Sequence, residues 1–378
     1  MSAQNSMKKK NAATTAALVA LVVLIMAGVL ALLYFMALRP LMNKKPAPQE
    51  QNTPQEQETL QTPPQAPEAP GKAEPKTADE AEPETHPEEE MQPVEPEEDP
   101  EPVQQTDAKT YAHAEETDTT RTLDLELYSE GAILIDAQTN AVIAEKNPDA
   151  RIYPASMTKV MTALVACEKI ENWEDTFTMT QEIIDPLYLA DASLAGFVNG
   201  EEIPMLDLVY GAILPSGAEA TEALAIYVAG SEEKYAELMN EKAAELGLTD
   251  THFVDASGLH DENHYTTLRD MAVILQAAMD NEICRKVLST TYYTCQPTQQ
   301  HPDGLQLYNK FLSRVKNLDR AGAEIDGAKT GYTAQAMNCC ASFGLSPKGR
   351  SLICVTSKAW TGEFCIDDQI ALYSRYAD

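Results

Sequence analysis

A serine and a lysine lie three residues apart in the segment YPASMTKVMTALVACEKI, which spans residues 153–170. Positions i and i+3 of a helix share one face, so the amine of Lys159 can reach the hydroxyl of Ser156. A serine hydroxyl is a good nucleophile only when a neighbouring base takes its proton. A lysine can be that base only where burial or a second cation lowers the pKa of its amine. The spacing fits nucleophilic catalysis, and it fits equally a serine helix cap followed by a solvated lysine.

The Ser-x-x-Lys spacing is weak evidence by itself, because the chain contains it at Ser6/Lys9, Ser156/Lys159, Ser231/Lys234 and Ser313/Lys316. The copy at Ser156 differs in its context. It follows a predicted hairpin and a proline, and it opens an apolar helix. The N-terminus of a helix offers backbone N–H groups that can stabilise an oxyanion.

A second candidate lies near the end of the chain, in the segment IDGAKTGYTAQA. Lys329, Thr330 and Gly331 fall on a predicted strand, where a glycine is explained if another backbone lies close to it. A cation and a hydroxyl at such an edge would suit an extended peptide that ends in a carboxylate. The alternative is a turn glycine that follows a surface lysine.

A third candidate is Ser216, which lies between two predicted helices in the segment AILPSGAEATEALA. Taken alone, a Ser-Gly pair before a helix indicates a helix cap. The order in the chain is Ser156-x-x-Lys159, then Ser216-Gly217-x, then Lys329-Thr330-Gly331. That order resembles the penicillin-binding serine acyltransferases and serine β-lactamases.

Within that group the chain resembles the low-molecular-mass D-alanyl-D-alanine carboxypeptidases of peptidase family S11, which are DacA/DacF-like. The resemblance runs from about residue 122 to the C-terminus. The segments that carry it are ASMTKVMTALVACE, MLDLVYGAILPSGAEA, MNEKAAELGLTDTHFVDASGLHDENHYTTLRDMA and DGAKTGYT. It implies a serine hydrolase that removes the terminal D-alanine from peptidoglycan stem peptides through an acyl-enzyme, with β-lactam antibiotics as inhibitors and no cofactor or metal.

The resemblance also implies a role for each motif residue. Ser156 would be the nucleophile, Lys159 its base, and Ser216 would pass the proton to the leaving D-alanine. Lys329 and Thr330 would hold the substrate carboxylate and, with Gly331 and Tyr332, form the substrate-binding strand. The backbone N–H groups of Ser156 and Tyr332 would form the oxyanion hole.

The chain departs from the family pattern at the middle motif, because Ala218 stands where the family usually has asparagine and no Ser-x-Asn occurs anywhere. Glu219 matches the acidic residue that usually follows. A weakly active or non-catalytic peptidoglycan-binding protein is therefore the main alternative, and a β-lactamase is a further one. Some relatives place an arginine after the last strand to assist carboxylate binding, whereas this chain offers only Lys358 there.

The elements that must position these residues follow from hydrophobic periodicity. Apolar strands at Ala132–Ile135 and Ala141–Ala144 flank turn residues and indicate a hairpin. Helices are predicted at about 156–169, 206–214, 218–228, 232–246 and 267–279. Strand-like runs follow at 289–295, 323–330, 338–343 and 351–357, and DDQIALYSRYAD closes the chain as a helix.

This order of elements favours an α+β fold over alternating βαβ units. We expect an antiparallel sheet built from both ends of the domain, flanked by helices, with an all-helical lobe inserted between its strands. The family resemblance implies the same architecture, that of the β-lactamases and penicillin-binding transpeptidases.

The N-terminal third of the chain has a different composition. Residues 12–38 carry no charged side chain, and 27 residues are enough for a helix to cross a bilayer. Residues 39–120 are rich in proline and glutamate and are predicted to be a disordered linker. We therefore expect a membrane anchor at 12–38, with a cleavable signal peptide as the alternative, and a peptidase domain at 121–378. Basic residues flank both ends of the apolar run, so hydropathy leaves its orientation open. The family resemblance implies that the peptidase domain faces outward, which places residues 1–11 in the cytoplasm. The net charge of −31 argues against a nucleic acid partner.

The histidine and cysteine patterns do not indicate a metal site. The seven cysteines lack CxxC or Cys/His spacing, and their odd number leaves at least one thiol unpaired. They are interpreted as small buried apolar residues. His252, His260 and His264 lie near Asp255 and Asp261, and we interpret this cluster as turn and capping residues.

Overall fold

The computed structural model describes residues 111–123 and 127–376. Its strands are, in chain order, β1 (Arg121–Thr122), β2 (Gly131–Asp136), β3 (Ala141–Lys146), β4 (Thr176–Thr178), β5 (Glu202–Pro204), β6 (Tyr292–Thr294), β7 (Gln306–Tyr308), β8 (Glu324–Thr333), β9 (Met337–Leu345) and β10 (Ser351–Ala359). The main sheet has the strand order β1-β3-β2-β10-β9-β8, and β4/β5 and β6/β7 form separate two-stranded ladders.

The helices of the same residues lie mostly between β3 and β8. They are α1 (Lys159–Lys169), α2 (Gln181–Leu189), α3 (Met205–Ile213), α4 (Ala218–Ala229), α5 (Glu232–Glu245), α6 (Leu268–Asp280), α7 (Glu282–Leu288), α8 (Leu312–Val315) and α9 (Gly362–Arg375). A short 3₁₀ turn, Ala155–Thr158, precedes α1. The helices predicted at 206–214, 218–228, 232–246 and 267–279 are found within one residue of these bounds, whereas α1 begins three residues later than predicted and α9 begins five residues earlier. The sequence did not predict α2, which contains Pro186, a residue that normally argues against a helix interior.

The main sheet joins the two ends of the domain. Strand β10 pairs antiparallel with β2, so that Cys354 lies opposite Leu134. Most of the helices are inserted between the two halves of this sheet. The predicted α+β fold, with an antiparallel sheet from both ends and a helical lobe between, is confirmed; the short β1 adds one parallel pairing to β3.

Side chains alternate between two cores, one on each face of the sheet. Ile133 and Ile135 pack into the core under the helical lobe. Ala132 and Leu134 point to the opposite face, where they join the core that contains Tyr373 of α9. Because both faces are covered, the central strands are continuously apolar rather than alternating.

The domain begins earlier than predicted. Residues 111–120, which were assigned to the disordered linker, lie against the sheet and α6. Ala114 is buried, and its carbonyl accepts a hydrogen bond from Arg269 Nη1 at 3.1 Å. Glu115 forms a parallel bridge to Ala141. The linker boundary at residue 120 was therefore wrong. The prediction rested on the acidic composition of this segment, and its contacts are with residues far along the chain that composition does not reveal.

The predicted membrane anchor and most of the predicted linker lie outside the described residues. Within 111–123 and 127–376 we find no helix with the length and apolarity that a bilayer crossing requires. All seven cysteines are free thiols, and six of them are buried, as the sequence predicted.

Candidate active site

Ser156 lies in the 3₁₀ turn and is not the cap of α1. The turn begins at Ala155, a non-glycine residue with φ +46°, and ends where Lys159 opens α1. The Nζ atom of Lys159 lies 3.1 Å from Ser156 Oγ. Lys159 is only 2% exposed, whereas Ser156 is partly open to solvent. The alternative of a helix cap with a solvated lysine therefore does not describe this pair, but it does describe Ser231, whose hydroxyl caps α5.

A second loop completes the surroundings of Lys159. Its Nζ donates to the carbonyl oxygen of Ser257 at 2.5 Å. Asp255 holds that loop in shape, because one of its carboxylate oxygens accepts the N–H groups of Ser257 and Gly258 at 2.7 and 2.6 Å. Gly258 has φ +81°, and a Cβ atom there would lie 1.9 Å from the carbonyl oxygen of Ala155. Only glycine allows the two turns to pack this closely.

Burial lowers the pKa of Lys159 from 10.5 to about 8. The negative charge of Asp255 opposes this shift, and the positive charge of Lys310 adds to it. With a pKa near 8, about a tenth of the Lys159 amines are neutral at pH 7, which is enough for a general base. The protein environment thus supplies the condition that the sequence alone left open.

Ser216 and Lys329 form a second serine–lysine pair. Lys329 Nζ donates to Ser216 Oγ at 2.9 Å and to the carbonyl of Thr330 at 2.8 Å. Ser216 has φ +69° and does not cap α4, whose N-cap is Gly217 without a side-chain cap. Burial, and then the charges of Lys159 and Lys310, hold the pKa of Lys329 well below its usual value.

Among the residues that the structure describes, β8 is the last strand of the main sheet, and an edge strand of this kind can pair with an extended peptide. Gly331 lets this edge pack against the turn that carries Ser156. A Cβ atom at Gly331 would lie 2.7 Å from the carbonyl oxygen of Pro154 and 3.0 Å from the backbone nitrogen of Ser156. The glycine predicted that another backbone lies close to this strand, and that backbone is the turn that carries Ser156. Tyr332, the next residue, is 66% exposed.

The start of α4 forms another wall of the site. Ala218 is buried and has no polar side-chain atom, and its N–H donates to the carbonyl of Ser193 at 2.8 Å. Glu219 is fully buried and is not among the residues that line the cleft. Its Oε1 accepts the N–H groups of Ala195 and Gly196 at 2.6 and 2.9 Å, which fixes the loop that contains Ser193.

These residues line one cleft with a volume of about 880 Å³. The cleft brings together the predicted site residues Ser156, Lys159, Ser216, Thr330, Gly331 and Tyr332, while Lys329 lies behind Ser216. Ser257, Lys310 and Arg314 also line it, and the sequence did not predict them because they belong to no motif. Lys358 pairs instead with Glu130 at 3.2 Å.

The histidine cluster is divided among structural contacts. His264 is buried, with Nε2 at 2.8 Å from Thr158 Oγ1 and Nδ1 at 3.2 Å from Asp255. His260 lies at the cleft, with its ring edge-on to Tyr153 at 4.6 Å. In the part of the chain that the structure describes, no three His, Cys, Asp or Glu side chains are arranged to hold a metal ion.

Comparison with known families gives one clear match. A family model described as "Peptidase_S11: D-alanyl-D-alanine carboxypeptidase" matches residues 116–360. The chain is 32% identical over 221 residues to D-alanyl-D-alanine carboxypeptidase DacF of Bacillus subtilis, covering 58% of this chain and 54% of that protein. It is 33% identical over 214 residues to DacC of Escherichia coli, covering 54% and 50%. The chain thus spans about half the length of the curated relatives it matches.

Solved structures show the same fold. The Streptomyces K15 DD-transpeptidase is similar with a TM-score of 0.60 and 26% identity, over 66% of this chain and 98% of that one. Penicillin binding protein 5 from Haemophilus influenzae is similar with a TM-score of 0.59 and 26% identity, over 66% of this chain and 71% of that one.

Proposed function

The chain belongs to the D-alanyl-D-alanine carboxypeptidase family, peptidase S11, and from that premise we propose that it is a penicillin-binding serine carboxypeptidase. Its substrate would be a peptidoglycan stem peptide that ends in D-Ala-D-Ala, from which it removes the last residue. One observation carries this proposal. Ser156 Oγ lies 3.1 Å from the amine of Lys159, whose pKa burial lowers to about 8. That geometry gives a serine with its own general base.

In the acylation step, neutral Lys159 takes the proton of Ser156 while Oγ attacks the carbonyl between the two D-alanines. The resulting oxyanion is met by the backbone N–H groups of Ser156 and Tyr332. Their placement is supported by Gly331, where an added Cβ atom would lie only 3.0 Å from the Ser156 nitrogen, so that β8 packs closely against the turn of Ser156. Preorganised donors of this kind are worth about 2.7–4 kcal/mol in a transition state.

Lys329 and Thr330 bind the terminal carboxylate of the substrate. The incoming anion favours the charged form of Lys329, because opposite charges stabilise each other in a buried site. A charged Lys329 in turn favours the neutral form of Lys159, since the charge of Lys159 already lowers the pKa of Lys329 and this repulsion is mutual. Substrate binding would thus promote the base form of Lys159.

Ser216 is proposed to connect acylation of Ser156 with departure of the leaving D-alanine. Its hydroxyl accepts a hydrogen bond from Lys329 at 2.9 Å and opens on the cleft that holds Ser156. It relays the proton that Lys159 took from Ser156 to the amine of the leaving D-alanine, so that Lys159 is neutral again. Water then attacks the acyl-enzyme and releases the shortened peptide. A β-lactam acylates Ser156 by the same route, and its ring-opened acyl group hydrolyses slowly.

Transfer of the acyl group to an amine is the second candidate activity. It is favoured by the similarity to the Streptomyces K15 DD-transpeptidase. Hydrolysis and transfer share the acyl-enzyme and differ only in whether water or an amine attacks it. The products of a diacyl-D-Ala-D-Ala peptide, incubated with and without an added amino acid acceptor, distinguish the two.

We further propose that the protein is held at the cell membrane with its peptidase domain outside, where peptidoglycan lies. The support is the uncharged run at residues 12–38, preceded by three lysines. Protease treatment of intact cells would remove an outward-facing domain and would leave a cytoplasmic one intact.

The enzyme hypothesis is tested by labelling with a fluorescent penicillin and by assaying D-alanine release. We expect both activities in the wild type and neither in Ser156→Ala. Ser231→Ala is the matched control, because Ser231 belongs to the same Ser-x-x-Lys spacing but caps α5 on the surface. Absence of Ser156-dependent labelling together with absence of D-alanine release would favour the non-catalytic alternative. Rapid hydrolysis of nitrocefin would favour a β-lactamase.

A further inference from the structure

A third lysine, Lys310, lies in the cleft beside the two lysines of the motifs. Its Nζ donates to Ser193 Oγ at 2.8 Å. It forms no ion pair with an acidic side chain among residues 111–123 and 127–376. An ammonium group has three N–H donors, so two remain for a ligand in the cleft. Lys310 is exposed, and a bound peptide can therefore reach it.

One backbone hydrogen bond and one side-chain hydrogen bond hold Lys310 near the wall of the cleft that carries Ala218. The N–H of Lys310 donates to the carbonyl of Leu214 at 3.1 Å, two residues before Ser216. On the other side, the carbonyl of Ser193 accepts the N–H of Ala218 at 2.8 Å, while the hydroxyl of Ser193 accepts from Lys310. Ser193 therefore links the ammonium of Lys310 to the backbone of Ala218, the residue without a polar side chain.

The charges in the site agree with this placement. The positive charge of Lys310 lowers the pKa of Lys159 and of Lys329, so its ammonium lies close enough to act on both. Lys159 and Lys329 are engaged by Ser156, Ser257 and Ser216. On the wall near Ala218, Lys310 is a cleft-lining cation whose ammonium keeps two N–H donors beyond its bond to Ser193.

We propose that Lys310, oriented by Ser193, is a substrate-binding residue that donates a hydrogen bond to the amide carbonyl on the acyl side of the bound peptide. It would supply the polar contact that Ala218 cannot make. This inference rests on the proposed function, since it concerns the acyl group that Ser156 receives. On this proposal, Ala218 does not mark a missing contact, because Lys310 makes that contact from another part of the chain.

The test compares two β-lactams that differ at this carbonyl. Benzylpenicillin carries an acylamino side chain, whereas 6-aminopenicillanic acid has a bare amino group in its place. We expect Lys310→Met to lower the acylation rate constant for benzylpenicillin about tenfold or more, the range of a lost hydrogen bond to a charged group. For 6-aminopenicillanic acid the same variant should change the rate less than about threefold.

Two more variants separate a binding role from a structural one. Lys310→Arg keeps a cationic donor and should recover most of the benzylpenicillin rate. Ala218→Asn should gain little in the wild type but should restore the rate in the Lys310→Met background. A rate for Lys310→Met that is unchanged, or lowered equally for both compounds, would overturn the proposal. A wild type that neither compound acylates would instead refute the proposed function, and this inference with it.

Discussion

Gly258→Ala offers a strong test of how the site is assembled. Gly258 has φ +81°, and a Cβ atom there would lie 1.9 Å from the carbonyl oxygen of Ala155 and 2.8 Å from Thr158 Oγ1. Ordinary contact begins at 3.4 Å, so the two turns must separate by about 1.5 Å. Ala155 directly precedes Ser156, and Gly258 directly follows the carbonyl that holds Lys159. The substitution should therefore move Ser156 away from Lys159, the pair proposed as nucleophile and base.

A misplacement of about 1 Å can reduce a catalytic rate about a hundredfold. We expect Gly258→Ala to lower the acylation rate constant for a penicillin by at least that factor. The left-handed backbone adds about 1 kcal/mol of destabilisation, because an alanine Cβ is disfavoured there. Stopped-flow acylation and chemical denaturation measure the two effects separately.

Gly349→Ala is the matched control for this experiment. Gly349 has φ +82°, nearly the same as Gly258, but a Cβ atom there would have no neighbour within 4 Å. It should lose a similar part of the free energy of unfolding through backbone strain and keep its acylation rate. If Gly258→Ala acylates within about threefold of Gly349→Ala, the tight packing of the two turns does not set the geometry of the site.

Three further predictions follow from other contacts. The acylation rate should rise about tenfold per pH unit below pH 8 and level off above it, because Lys159, whose pKa is about 8, is proposed to act in its neutral form. A flat profile of acylation rate from pH 6 to 9 would contradict this role. Glu219→Ala removes the acceptor of two partly buried N–H groups and should cost about 1–2 kcal/mol of unfolding free energy, whereas Glu219→Gln keeps the accepting oxygen and should cost less. Equal losses of the two variants in urea denaturation would show that the charge of Glu219 matters instead. A fragment of residues 121–378 should unfold at a lower temperature than one of residues 111–378, because it lacks the contact of Ala114 with Arg269; equal melting temperatures would restore the boundary at residue 120.

Much of the fold could be predicted because its elements are defined by local patterns. The continuous apolar runs of β2 and β10 and the helical periodicity of α1 and α6 depend only on neighbours in the chain. The element α2 was not predicted, because Pro186 argues locally against a helix. The segment 111–120 was not predicted either, since its contacts are with residues far along the chain.

The motif residues of the site were also predictable, but what they do was not settled by their spacing. Ser231 shares the spacing of Ser156 and is a helix cap. Ser216 has the local sequence of a cap and instead accepts a hydrogen bond from Lys329, 113 positions away. A cap depends on the next few residues, whereas a partner from a distant strand depends on the fold.

The sequence by itself determined the order of strands and helices and the family to which the chain belongs, because periodicity and motifs are properties of neighbouring residues. Only the tertiary structure decided that Lys159 is buried, that the carbonyl of Ser257 accepts from it, and that Lys310 and Ala218 both donate to Ser193. These features come from segments up to about a hundred and fifty residues apart. The lowered pKa that makes a lysine a base is produced by burial, and burial exists only once those segments have packed together.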